Sequence, residues 1–184
     1  MRLFAALVPP AEVLAEVDEA LAEARRQLPE LRWESAARMH LTLAFYGEVT
    51  DVVAQRLQAR LARACSRHPA LTLAFAGAGA FPRRARASVF WLAVTGDRQP
   101  LVRLAGSLGA AGRRVGLAMD ERTYRPHLTV GRAKKQPCDV RAQVAQLEDY
   151  RGPDWRATEV ALVRSHLGPQ PRYETVAAWP LAGG

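Results

Sequence analysis

Two short segments of nearly the same sequence constrain this chain more than anything else in it. Met39–Leu43 reads Met-His-Leu-Thr-Leu and Pro126–Val130 reads Pro-His-Leu-Thr-Val, nearly half the chain apart. Each opens a strand-like run that is followed by a helical stretch and another strand. That echo predicts two pseudo-equivalent halves whose corresponding strands face each other. Side chains alternate faces along a strand, so His40 projects with Thr42 while Leu41 and Leu43 project oppositely. The same parity joins His127 to Thr129 and Leu128 to Val130. Each segment thus offers an imidazole and a hydroxyl on one face, anchored by two aliphatics on the other. The histidines carry the signal: Leu71–Phe75 repeats Leu41–Phe45 letter for letter without one.

The rest of the chain alternates short strands with helices. Arg2–Val8 reads as a strand ended by Pro9 and Pro10, and Glu12–Leu28 has apolar residues at helical spacing. His40–Val49 is a strand, after which Thr50 and Asp51 cap a helix running to about Arg67. Leu71–Phe75 and Val89–Thr95 read as strands flanking a loop that holds Gly77, Gly79, Pro82 and three arginines. Pro100–Ala111 is helical and stopped by Gly112. His127–Arg132 is a strand, Asp139–Leu147 a helix, and Trp155–His166 with Tyr173–Trp179 a closing pair of strands. Residues 1–184 show no linker or low-complexity tract, so the expectation is a single bilobed domain with pseudo-twofold related His-x-Thr-x strands.

With 184 residues and 49% of them hydrophobic, the chain can bury a core without metal or disulfide staples. Its apolar runs are too short for a membrane span, and its opening lacks the apolar stretch and cleavage site of a signal peptide. Two cysteines, Cys65 and Cys138, make no disulfide framework and have no close partner at zinc spacing. The expectation is a cytoplasmic protein with no cofactor and no metal. The formal net charge is +8, and all but two of the 26 basic residues, Lys134 and Lys135, are arginines. Arginine presents planar, bidentate donors suited to phosphate, and a positive field attracts polyanions. Such a charge permits nucleic acid as a partner; a GC-rich coding sequence would enrich arginine too.

Two imidazoles facing each other across a cleft suit acid–base work on a phosphodiester. One donates a proton to the leaving oxygen while the other takes a proton from water, and histidine titrates where both states are accessible. The threonine hydroxyls can donate to non-bridging phosphate oxygens, where charge is held in the transition state. The chain has no GxxxxGK[ST] loop and no GxGxxG placed after a strand, which argues against an ATP-driven ligase.

These residues carry a family resemblance. Arg122–Arg132 resembles the second signature of the two-histidine (HxTx) phosphoesterases, and His40–Val49 resembles the first. The match is to the bacterial and archaeal RNA 2′,3′-cyclic phosphodiesterase branch, historically called 2′–5′ RNA ligase. It extends to the opening Arg2-Leu3-Phe4, to Phe81-Pro82, and to Ser165, Tyr173 and Trp179 near the end. The resemblance implies an α+β fold, bilobed, with two antiparallel sheets around a central cleft and helices outside. It implies a monomer acting on RNA with 2′,3′-cyclic phosphate ends, without metal, to leave a 2′-phosphomonoester. By the same resemblance His40 is the proton donor to the 3′ oxygen and His127 the activator of water. Thr42 and Thr129 match the phosphate-holding threonines, and Arg132 a basic position after the second motif.

Arg132 lies an odd five steps from His127 and reaches the site only if the strand bends or ends there. Tyr46 stands where the family has leucine, and strand parity puts it on the His40 face. Phe81 with Arg83, Arg84 and Arg86 form either a nucleic-acid contact or a solvated basic loop. His68 is expected at the surface, His166 at a strand end, and Cys65 in the core. The competing readings are 2′–5′ RNA ligation (the same chemistry with a 5′ hydroxyl replacing water), a non-catalytic RNA-binding module, and a metal-dependent hydrolase using both histidines.

Overall fold

The computed structural model describes residues 1–166, 168 and 172–183. The strands are β1 (Arg2–Leu7), β2 (Leu31–Trp33), β3 (Leu41–Glu48), β4 (Leu71–Arg83), β5 (Arg86–Gly96), β6 (His127–Ala133), β7 (Trp155–Ala157), β8 (Glu159–His166) and β9 (Arg172–Pro180). The helices are α1 (Ala11–Ala20), α2 (Ala22–Gln27), α3 (Asp51–Cys65), α4 (Arg98–Arg113) and α5 (Arg141–Gln146). The fold is α+β. One sheet runs β3-β1-β8-β9 and the other β2-β6-β5-β4-β7, and all pairings within them are antiparallel. The two motif strands, β3 and β6, therefore belong to different sheets.

Local chemistry explains most of these elements. The Thr50 hydroxyl accepts from the Val53 N–H and starts α3 as an N-cap. Leu57, Leu61, Ala64 and Cys65 form its buried stripe, and α3 packs beside α4, which also lies against β3. The inward faces of both sheets join the helices in one core that includes Leu3, Leu7, Leu41, Phe75, Phe90 and Leu128. Burial at this scale, about 25 cal/mol per Å² of apolar surface, is the main force holding the layers together. A smaller cluster of Phe4, Ala6, Ala161 and Val163 lies on the opposite face of β1 and β8. No helix among the described residues is long and apolar enough to cross a membrane.

The structure departs from sequence expectation in two instructive places. The expected glycine- and arginine-rich loop after Leu71–Phe75 is instead the continuation of a long hairpin, pairing as far as Arg83 with Arg86. Register shifts between Phe75 and Ala78 and between Phe81 and Pro82 interrupt its alternation, which hides the strand from a period-two reading. Nor does Gly112 stop α4. It is buried inside the helix, where a Cβ would meet Met119 Sδ at 2.6 Å and Tyr46 at 3.1 Å, so its role is close packing.

Candidate active site

Each motif histidine is held by the same backbone device. His40 stands immediately before β3, and its Nδ1 lies 2.8 Å from the carbonyl oxygen of Arg38. His127 opens β6, and its Nδ1 lies 2.6 Å from the carbonyl oxygen of Arg125. A carbonyl can only accept, so Nδ1 carries the proton in both rings and Nε2 is left free to take or give one. Pro126 supports the second latch by biasing Arg125 toward an extended conformation. Both latches use the residue two positions upstream, and both times it is an arginine: Arg38-Met39-His40-Leu41-Thr42 against Arg125-Pro126-His127-Leu128-Thr129. That longer repeat was a signal available in the sequence.

Aromatic walls fix the ring planes. Phe4 stacks on His40 with centroids 4.7 Å apart, and Tyr173 meets the same ring edge-on at 5.0 Å. Phe81 meets His127 edge-on at 5.0 Å, with Trp91 6.1 Å away. A Cβ on Gly79 would overlap the Trp91 indole, so glycine there lets Trp91 lie flat across β4. The guanidinium of Arg38 lies 5.5 Å from the Tyr173 ring and that of Arg125 5.2 Å from the Phe81 ring, both within cation–π range. Burial pushes both imidazoles below their ordinary value, since it disfavours the charged form. The backbone latches oppose that shift. For His40 the Glu34 carboxylate opposes it as well, whereas Arg132 and Arg38 reinforce it. For His127 the neighbouring charges, Arg132 and Arg125, both reinforce it.

A β-bulge brings Arg132 to the histidines. Thr129 pairs with Trp91 and Gly131 with Phe90, so Val130 is an extra residue in β6. Val130 and Gly131 are consequently both buried, and Arg132 emerges on the side of His127 and Thr129. The strand bend that its odd spacing required is present. A comparable shift in β3, opposite Ala5 and Ala6, has the reverse effect on Tyr46. Tyr46 turns into the core, its hydroxyl donating to the Leu108 carbonyl at 3.3 Å, and Phe45 is exposed instead beneath the Arg2 guanidinium. Tyr46 is thus a packing residue under α4.

A cavity of about 990 Å³ runs along these elements, with Thr42, Phe45, Phe81, His127, Thr129 and Arg132 among its walls. His40 is not itself in that wall; packed between Phe4 and Tyr173, it is represented in the cavity by its strand neighbour Thr42. The segment leading into the second motif is tied to the first, because the Tyr124 hydroxyl donates to the Thr42 carbonyl at 2.9 Å. Glu34, only 8% exposed, reaches Arg38 at 3.3 Å and Arg132 at 3.9 Å. Sequence reasoning missed Glu34, Arg38 and Tyr124 as site residues. Among the described residues no three His, Cys, Asp or Glu side chains converge as a metal site would require.

The remaining singled-out residues lie elsewhere. His68 is half-buried rather than at the surface, its Nε2 2.8 Å from the Ser107 hydroxyl. His166 pairs with Glu174 at 2.7 Å across β8 and β9. Cys65 is fully buried, and burial pushes its thiol up to about 11. Arg83, Arg84 and Arg86 are exposed at the tip of the β4–β5 hairpin, just beyond Phe81.

A family model described as the 2′-5′ RNA ligase superfamily matches residues 9–169. An RNA 2′,3′-cyclic phosphodiesterase of Geobacillus stearothermophilus is 31% identical over 166 residues, which is 88% of this chain and 51% of that protein. The chain therefore spans about half the length of that relative. An RNA 2′,3′-cyclic phosphodiesterase of Archaeoglobus fulgidus is 29% identical over 177 residues, covering 92% of this chain and 94% of that one. Among solved structures, a Thermus thermophilus protein superposes with a TM-score of 0.81 at 27% identity, covering 100% of this chain and 99% of its own. Escherichia coli LigT complexed with 3′-AMP gives 0.76 at 28% identity, covering 98% and 97%.

Proposed function

This chain belongs to the 2′-5′ RNA ligase superfamily, and from that footing we propose that it is a metal-independent RNA 2′,3′-cyclic phosphodiesterase working by histidine acid–base catalysis. The observation that carries the reading is the pair of identically latched histidines, each presenting a free Nε2. Nε2 of His127 takes a proton from water, and the resulting hydroxide attacks phosphorus. The bond from phosphorus to the 3′ oxygen breaks, and Nε2–H of His40 protonates that oxygen. The products are a 2′-phosphomonoester and a free 3′ hydroxyl. Each proton transfer of this kind typically contributes about 10²–10⁴-fold.

The surroundings support that division of labour. The acid must hold a proton and the base must lack one. A carboxylate near His40 favours the imidazolium there, while only arginine charges bear on His127 and favour its neutral form. Thr42 and Thr129 donate to the non-bridging phosphate oxygens, and Arg132, whose charge is felt by both rings, balances their negative charge. The repeated latch and repeated aromatic wall support reading residues 1–184 as one bilobed domain with β3 and β6 as counterparts. RNA is the expected polyanion for a chain of net charge +8. The relatives named as RNA 2′,3′-cyclic phosphodiesterases support the same substrate. Ligation, in which a 5′ hydroxyl replaces water as the nucleophile, is the same displacement and is expected only as a minor reaction in water.

The test is incubation with a short RNA ending in a 2′,3′-cyclic phosphate, in excess EDTA, with the product identified by phosphorus NMR. A 2′-monoester is the expected result. A 3′-monoester would reverse which oxygen leaves, and an unchanged cyclic end would favour a binding module instead.

A further inference from the structure

Glu34 is one of two buried polar or charged residues among those described, and the only one of the pair that can carry a charge. Its backbone leaves it little freedom. The N–H donates to the carbonyl of Val130, the bulged residue of β6, at 2.9 Å, and the carbonyl accepts from Arg25 at 3.4 Å. Its two carboxylate oxygens diverge: Oε2 faces Arg38 Nη2 at 3.3 Å and Oε1 faces Arg132 Nε at 3.9 Å. Arg38 supplies the carbonyl that latches His40, whereas Arg132 comes from the strand of His127. A buried carboxylate is costly unless it is paired, and this one is paired with the guanidiniums that approach the site from either motif.

We propose that Glu34 is a positioning residue for the reaction assigned above, its single carboxylate holding Arg38 and Arg132 apart and aimed while supplying the counter-charge beside His40. The inference rests on the phosphodiesterase reading for its kinetic consequences but not for its electrostatic one. With Glu34 neutral, both guanidiniums and His40 would lose the carboxylate whose charge they share. The groups bearing on His40 are then Arg38 from the turn before β3, Arg132 from β6, Tyr173 from β9 and the apolar Phe4 from β1. Glu34 supplies the carboxylate that, together with the latching Arg38 carbonyl, favours a proton on His40. Its effect on the phosphate is indirect, through the aim of Arg132.

The experiment uses the full chain with Glu34→Gln and Glu34→Asp, and checks folding by thermal melting and circular dichroism. For Glu34→Gln we expect kcat to fall roughly ten- to hundredfold, with a smaller change in KM, the scale of a lost charged hydrogen bond. The alkaline limb of the pH–rate profile moves to lower pH by roughly one unit, because imidazolium loses its nearby anion. Glu34→Asp, which keeps the charge, returns that limb toward the wild-type position. In an Arg132→Gln background the further loss from Glu34→Gln shrinks, since the residue acts through that arginine. A folded Glu34→Gln protein with wild-type kcat and an unmoved limb overturns the proposal, as does the same fold-loss in both backgrounds. Proton NMR titration of the His40 ring in both proteins decides the electrostatic part without turnover. Absence of wild-type turnover on cyclic-ended RNA would fail the functional reading alone. In that event an unshifted His40 titration in Glu34→Gln would still sink the inference, and an acid shift would sustain it.

Discussion

The His40 side and the His127 side of the cleft hold their imidazoles in the same way and surround them differently. Both rings are tethered through Nδ1 to the carbonyl two residues upstream, and both meet an aromatic edge at 5.0 Å. On the His40 side a phenylalanine is stacked beneath the ring and a carboxylate stands among the charges. On the His127 side Trp91 replaces the stacked phenylalanine, and the charges are all arginine. The hairpin tip on that side adds Arg83, Arg84 and Arg86 at the surface. A shared latch gives both rings the same tautomer. The unshared neighbours are what can give them opposite protonation states, which a sequence repeat alone has no means to distinguish.

The largest expected effect breaks both sides at once. His40→Ala and His127→Ala should each lower turnover by about 10²–10⁴-fold while the protein stays folded, because the strands are anchored by Leu41, Leu43, Leu128 and Val130. Single-turnover assays beside a thermal melt check this; wild-type rates in either variant would end the two-histidine scheme. Next come Thr42→Val and Thr129→Val, each expected to cost about 10²-fold in kcat, the worth of one preorganised donor to a developing charge. A large loss in one and none in the other would show that the phosphate sits on one side of the cleft only.

The pH profile sharpens the comparison further. Burial holds both imidazoles below 6.5, so the protonated acid of the free enzyme is lost as pH rises through a value under 6.5. The optimum of kcat/KM should therefore lie on the acid side of that value. The profile of kcat should extend to higher pH, since a bound phosphodiester anion favours imidazolium. An alkaline limb of kcat/KM at or above 6.5 would contradict the burial argument.

Replacing Arg83, Arg84 and Arg86 together with Gln tests whether RNA leaves along the His127 side. The slope of log affinity against log salt for an oligonucleotide should flatten by about 2, with a cyclic mononucleotide unaffected. Equal loss for both ligands would place those charges at the reaction centre instead. The smallest effect is expected for Tyr124→Phe, which removes the hydroxyl tied to the Thr42 carbonyl. Losing such a bond is worth about 1 kcal/mol, a few-fold in kcat/KM, and steady-state kinetics would read it.

Much of this protein was legible in residue order. The His-x-Thr-x pair, the strands that carry it and the α3 cap at Thr50 depend on neighbours within a few residues, where alternation and capping act, whereas the α+β class followed from the family resemblance. The hairpin between Leu71 and Gly96 was only half legible, because its register shifts break the alternation by which strands are recognised. Parity misled for the same reason at Tyr46, which the shift in β3 turns into the core.

The sequence by itself determined the paired His-x-Thr-x groups and that each sits on an aliphatic-backed strand, since those are local properties of the chain. Only the tertiary structure decided which of them meet. The bulge at Val130 that delivers Arg132 exists because of how β6 pairs with β5. Tyr124 finds Thr42 across 82 positions of chain. Glu34 is an unremarkable glutamate until β2 lies beside β6 and the turn before His40 brings Arg38 back to it. Such contacts follow from strand order and from the burial that drives the sheets together, and no short-range pattern encodes them.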